Sequence, residues 1–102
     1  MDRIAQLRKF IEGSPDDPFP RYALALELKG SGDGAAAARE LEALLARSPG
    51  YLAAYLQLGM LQQALGNLGG AREAFEKGQD LARRTGDSHA LSELTSALES
   101  LA

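Results

Sequence analysis

Few residues in this sequence could do chemistry. His89 is the only histidine among the 102 residues, with Ser88 beside it and Glu93 one helical turn beyond. An imidazole and a carboxylate at that spacing make two ligands on one helix face, but a zinc site takes three or four, and nothing else in the sequence supplies the rest. Ser88 as a nucleophile needs a base held against its hydroxyl, and the ring adjacent in sequence is poorly placed for that. Gly30-Ser31-Gly32-Asp33-Gly34-Ala35 satisfies G-x-G-x-x-A, a pattern that cradles a pyrophosphate only where a β-strand leads into it. Here Tyr22 to Lys29 reads as helix. Cysteine is absent, so thiol nucleophiles, disulfides and Cys-ligated zinc drop out together. No catalytic residue, metal or cofactor is expected, the chain is not read as an enzyme, and His89 is expected as a surface or interhelix residue of the last helix.

Composition points the same way. With 45% apolar and 25% charged residues the chain has enough apolar material for one modest core. A net charge of −3 gives no broad positive field, and the basic clusters are pairs, Arg8-Lys9 and Arg83-Arg84, so no nucleic-acid partner is expected. The first residues show no continuous apolar run of the secretory kind, and no stretch approaches a membrane span. No membrane role is expected, and the cytoplasm is the expected compartment.

The elements that must position any site follow from breakers and caps. A first helix covers about Asp2 to Glu12, with Ile4, Leu7, Phe10 and Ile11 on one face, and Gly13-Ser14-Pro15 ends it. Asp17 caps the next, with Pro18 and Pro20 inside the tolerant first turn, and Tyr22, Leu24, Ala25, Leu26 and Leu28 carry it to Gly30. Asp33 caps a third helix, Gly34 to Arg47, with Ala37, Leu41, Leu44 and Leu45 facing inward. The fourth, about Leu52 to Leu65, presents Tyr55, Leu58, Gly59, Leu61 and Leu65. Asn67 caps the fifth, near Leu68 to Arg84, which buries Ala71, Phe75 and Leu81 and runs about a turn longer. Asp87 or Ser88 starts the last, with Leu91, Leu94, Leu98 and Leu101 inward and Ser92, Glu93, Ser96, Glu99 and Ser100 on a polar outer face.

A shift of 34 residues aligns Pro15 with Pro49, Leu24 with Leu58, Ala25 with Gly59, Gly32 with Gly66, Asp33 with Asn67, Ala37 with Ala71 and Leu41 with Phe75. These are turn, cap and close-packing residues, the types a repeated helical hairpin holds constant. The later unit, Tyr55-x-x-Leu58-Gly59-x-x-Gln62 followed by Ala71-x-x-x-Phe75, resembles the tetratricopeptide repeat, departing from it at Gln62 and at Arg83, where the closing proline is missing. The earlier unit, Arg21-x-x-Leu24-Ala25-x-x-Leu28, then Ala37-x-x-x-Leu41 and Pro49, is the weaker match because Arg21 replaces the aromatic; Tyr22 is the residue expected to compensate. The resemblance implies an all-α solenoid of antiparallel helix pairs with about six helices: a half-repeat over 2–14, repeats over 18–51 and 52–85, and a capping helix over 87–102.

It also implies a protein-interaction scaffold in which the first helix of each pair lines a concave groove. Carried onto this sequence, that face is Phe19, Tyr22, Ala23, Leu26 and Lys29 from one pair and Ala53, Leu56, Gln57, Met60 and Gln63 from the next. Family members that grip a terminal carboxylate use a Lys, Arg and Asn cluster; here the matching places hold Tyr22, Leu26 and Gln57, so the clamp is absent. The expected partner is an apolar or amphipathic polypeptide segment, and a second copy of the chain on the same surface is the alternative. Two arrangements stay open: the apolar face remains a surface, or the last helix folds over part of it.

Small residues at Ala25, Gly59, Ala37 and Ala71 read as close-packing positions between paired helices. Ala71→Leu is therefore expected to lower the thermal midpoint by an amount equivalent to about 1–3 kcal/mol, measured by circular dichroism; an unchanged midpoint would remove the packing assignment.

Overall fold

The computed structural model describes residues 2–101. Six helices follow in order: α1 (Arg3–Gly13), α2 (Pro18–Gly30), α3 (Gly34–Arg47), α4 (Leu52–Ala64), α5 (Leu68–Thr85) and α6 (Ser88–Glu99). The fold is an all-α helical repeat, and its helices gather into two compact units, one running through Pro49 and one beginning at Gly50. Among the described residues no helix is long and apolar enough to cross a membrane.

One local device makes most of the hairpins. Gly32, Gly66 and Gly86 follow α2, α4 and α5 with φ of 90°, 84° and 74°, a region that costs a side-chain-bearing residue but not glycine. The residue after each glycine closes the finished helix by donating its N–H five residues back: Asp33 to Leu28 O, Asn67 to Gln62 O and Asp87 to Ala82 O, at 2.8–2.9 Å. The same residue then opens the next helix, its side chain accepting from Ala36, Gly70 or Ala90 N–H at 2.9–3.1 Å. So short a link leaves consecutive helices little choice but to lie antiparallel. Asp87, rather than Ser88, is the cap of α6.

In the first unit α2 packs against both α3 and α1. Leu24, Leu41 and Ala37 are wholly buried, with Leu7, Ala25, Leu28, Ala38 and Leu44 around them. Ion pairs join the elements: Arg3 Nε to Glu27 Oε1 at 2.9 Å, and Arg47 Nη1 to Asp16 Oδ1 at 2.7 Å. Arg21 departs from its expected role as a gap in the pattern. Its side chain is only 17% exposed and reaches Glu40 Oε2 at 3.6 Å, an ion-pair separation, while Arg8 from α1 approaches Glu40 Oε1 at 3.8 Å. Tyr22 is half-buried, but it is Arg21 itself that takes the aromatic's place.

In the second unit α5 lies between α4 and α6 and packs on both. At 18 residues it exceeds α4, which has 13, by the expected turn. Two glycines set the spacing. A Cβ on Gly59 would overlap the edge of the Phe75 ring, 2.7 Å from Cζ and nearer still to Cε1 and Cδ1; one on Gly78 would stand 2.9 Å from Leu94 Cδ2 and 3.0 Å from Tyr55 Cβ. Gly78, with Ala54, Ala74 and Ala82, belongs to the buried set that the apolar pattern alone did not pick out.

Two expected inward residues point outward. Leu65 is 50% exposed because it is the C-cap of α4 and stands beyond its last turn. Phe10 is 64% exposed because α1 packs on α2 through Leu7, which leaves the flank carrying Phe10 uncovered.

Gly59→Ala should cost about 1–3 kcal/mol in urea unfolding, since the ring of Phe75 must move. Gly30→Ala, where nothing lies within 4 Å of the added Cβ, should instead gain about 0.4–1 kcal/mol. Equal effects at the two sites would refute the close-approach argument.

Candidate functional site

In the first unit, Pro18 and Pro20 sit in the first turn of α2, and the Phe19 N–H donates to Asp17 Oδ1 at 3.1 Å. From that start Phe19, Tyr22, Leu26 and Lys29 recur at three- and four-residue steps and share one stripe of the helix. Leu24, Ala25 and Leu28 take the opposite side into the core. The stripe stays open to solvent at its ends: Phe19 is 61% and Leu26 39% exposed, Lys29 is exposed, and Tyr22 and Ala23 are half-buried.

In the second unit the corresponding stripe of α4 behaves differently. Leu56, Gln57, Met60 and Gln63 are all half-buried, and Ala53 is exposed. Leu52, Leu56 and Met60 pack with Ala90, Leu91, Ala97 and Leu98 against a buried cluster of Ala71, Phe75, Ala82, Leu94 and Leu101. The last helix therefore lies against this face, covering part of it and leaving a cleft of 490 Å³ lined by Leu56 and Met60 from α4 and His89, Ser92, Glu93, Ser96 and Ala97 from α6.

The polar face of α6 is exposed as expected at Ser92, Glu93, Ser96, Glu99 and Ser100, and the first three of these also line the cleft. The sequence signal for this was Ala97, a small residue one turn past Glu93 and flanked by the apolar Leu94 and Leu98, which widens the helix's apolar stripe toward α4.

Residues that could do chemistry do not converge. His89 Nε2 lies 3.3 Å from Glu93 Oε1, with the imidazole side chain 87% exposed, and among the described residues no group of three or more potential ligands could hold a metal ion. The Gly30–Ala35 stretch is a helix end, a turn and a helix start, with Gly32 in the left-handed region and Asp33 capping α3. Lys77 on α5 has a pKa raised chiefly by its hydrogen bond to Glu73 and then by attraction to that carboxylate, and it does not line the cleft.

The whole pattern has counterparts among known proteins. A family model described as tetratricopeptide repeat matches residues 28–98. A TPR repeat-containing protein from Pseudomonas aeruginosa is 35% identical over 98 residues, covering 96% of this chain and 93% of that protein. The solution structure of a tetratricopeptide repeat domain protein from Salinibacter ruber is similar with a TM-score of 0.80 and 34% identity, over 86% of this chain and 89% of that one. A solution structure of a Bordetella parapertussis protein is similar with a TM-score of 0.83 and 29% identity, over 99% of this chain and 88% of that one.

The two stripes should respond differently to polar substitution. Phe19→Ser and Leu26→Ser are expected to change unfolding free energy by no more than about 0.5 kcal/mol, whereas Met60→Asp, which sets a charge against the α5–α6 core, should cost about 1–3 kcal/mol. Chemical denaturation of the three variants decides this; a large loss at Phe19 or Leu26 would place the α2 stripe in the core.

Proposed function

Because this chain belongs to the tetratricopeptide-repeat family, whose members generally serve as protein-interaction modules rather than as enzymes, we propose that it binds an apolar or amphipathic polypeptide segment. Each unit offers a face of its own: Phe19, Tyr22, Leu26 and Lys29 on α2, and Leu56, Gln57, Met60 and Gln63 on α4. The observation that carries this reading is the α2 stripe, where two large apolar side chains, Phe19 and Leu26, stand 61% and 39% exposed on one helix face. Apolar area in water costs about 25 cal/mol per Å² relative to burial, and a row of such residues at helical spacing is what a helix laid in a groove covers.

The chemistry of the stripes narrows the partner. Tyr22, Leu26 and Gln57 stand where the family's carboxylate clamp would need Lys, Arg or Asn, so an acidic C-terminus finds no such cluster there. The faces instead favour a ligand whose affinity comes from apolar contact, with Lys29, Gln57 and Gln63 as its polar border.

The test is capture from the native source by the wild-type chain beside a Phe19→Ser/Leu26→Ser double variant of unchanged thermal midpoint. A partner retained by the first and lost by the second is the expected result. Equal retention would move the binding site elsewhere. Light scattering on the same pair adds the homo-oligomer outcome: a mass that rises with concentration only in the wild type would assign the α2 stripe to a second copy of this chain.

A further inference from the structure

We propose that the cleft between α4 and α6 selects an amphipathic segment of a separate protein whose charged residues are basic, one apolar side chain entering against Leu56, Met60 and Ala97 and a lysine or arginine one turn along meeting Glu93. This rests on the binding reading above and adds to it the charge of the partner.

The cleft has an apolar floor, and its rim holds one carboxylate, Glu93, with no lysine or arginine. Leu56 and Met60 are half-buried and Ala97 lies opposite them; the space is an open depression of 490 Å³, with room for a bulky side chain to lie against its floor. From Ser48 to Ala71 the sequence contains no Asp, Glu, Lys or Arg, so α4 brings no charge at all. On α6 the ionisable residues are His89, Glu93 and Glu99, with no lysine or arginine. The cations of this unit, Arg72, Lys77, Arg83 and Arg84, are all on α5. None of them lines the cleft, and Lys77 and Arg84 pair with Glu73 and Asp80 on α5 itself.

Glu93 is thus the fixed charge at the rim. Its side chain is 49% exposed, and its neighbour there, His89, forms a charge pair with it only when the imidazole is protonated. A segment seated on the apolar floor displaces water from beside this carboxylate, and a charge interaction strengthens as the local dielectric falls. A basic residue of the segment gains from that change. An acidic one is brought against a like charge with no lysine or arginine on either wall to relieve it, which discriminates against it more than it alters affinity for a neutral segment.

Selection from a phage-displayed library of random linear peptides on the immobilised 102-residue chain tests this without knowledge of the natural partner. Selected peptides are then synthesised and titrated by fluorescence anisotropy against wild type, Glu93→Gln, Glu93→Lys, Met60→Gln and, as a control for overall charge, Glu76→Lys on the exposed side of α5. The expected consensus is a bulky apolar residue with Lys or Arg three or four positions away. Its affinity should fall on the order of two- to five-fold for Glu93→Gln, further for Glu93→Lys, and no more than about two-fold for Glu76→Lys.

A neutral or acidic consensus, or equal losses at Glu93 and Glu76, overturns the charge assignment. If those peptides still depend on Met60, binding at the second-unit face survives. Failure to select any peptide, or peptides indifferent to Met60→Gln, overturns that face as well. Self-association of the chain that the selected peptides compete away would give the cleft to a second copy and overturn the separate partner.

Discussion

The Phe75 ring occupies the space where a side chain on Gly59 would be, and the position of every helix in the second unit depends on that contact. With no Cβ between them, α4 and α5 approach until the ring is fully buried. One turn further along α5, Gly78 repeats the arrangement toward Leu94 and Tyr55. Leu94 can then sink to 1% exposure, which draws α6 low against α5 and brings its serine and glutamate side alongside Met60. Interiors packed at this density transmit such constraints rather than absorb them. The cleft is therefore a consequence of two missing side chains.

The first unit solves the same packing problem with different chemistry. Ala25 stands in the register of Gly59 and Leu44 in that of Gly78, and the pair Arg21 and Glu40 falls on Tyr55 and Ala74. Where the second unit sets an aromatic ring against a small residue, the first sets a guanidinium against a carboxylate, largely shielded from water. Its remaining inter-element ion pairs, Arg3 to Glu27, Arg8 to Glu40 and Arg47 to Asp16, each have at least one solvent-exposed partner and are worth little individually. Among the described residues the second unit's ion pairs at Lys77, Arg84 and His89 lie within single helices at i and i+4, while Gln79 Nε2 on α5 donates to Thr95 Oγ1 on α6 at 3.0 Å beside the apolar cluster that joins the helices.

This difference bears on binding. The stripe of α2 keeps Phe19 and Leu26 in solvent, a surface that gains by being covered, whereas the stripe of α4 has already committed Leu56 and Met60 in part to α6. Affinity depends on how much apolar area remains to be removed from water and how little must be reorganised to remove it. For the polypeptide partner proposed above, an open stripe and a partly filled cleft would therefore offer different terms, the first more apolar area to cover and the second a charged residue, Glu93, at its rim.

The sequence by itself determined the helices, their order and the hairpins. Those depend on interactions spanning a few residues: a glycine able to take positive φ, an Asp or Asn that caps the next helix, prolines confined to a first turn, and apolar side chains at helical steps. The 34-residue register added that the hairpins repeat, because the close-packing positions must recur where the helices recur. Tertiary structure alone decided which faces stayed in water. That Phe10 and Leu65 point outward, that Arg21 finds Glu40 on α3, and that Ser92, Glu93 and Ser96 line a cleft beside α4 are all set by distances between elements. Helix periodicity groups residues on a face but does not say what that face meets, and it is the meeting of α6 with α4 that leaves the cleft between them.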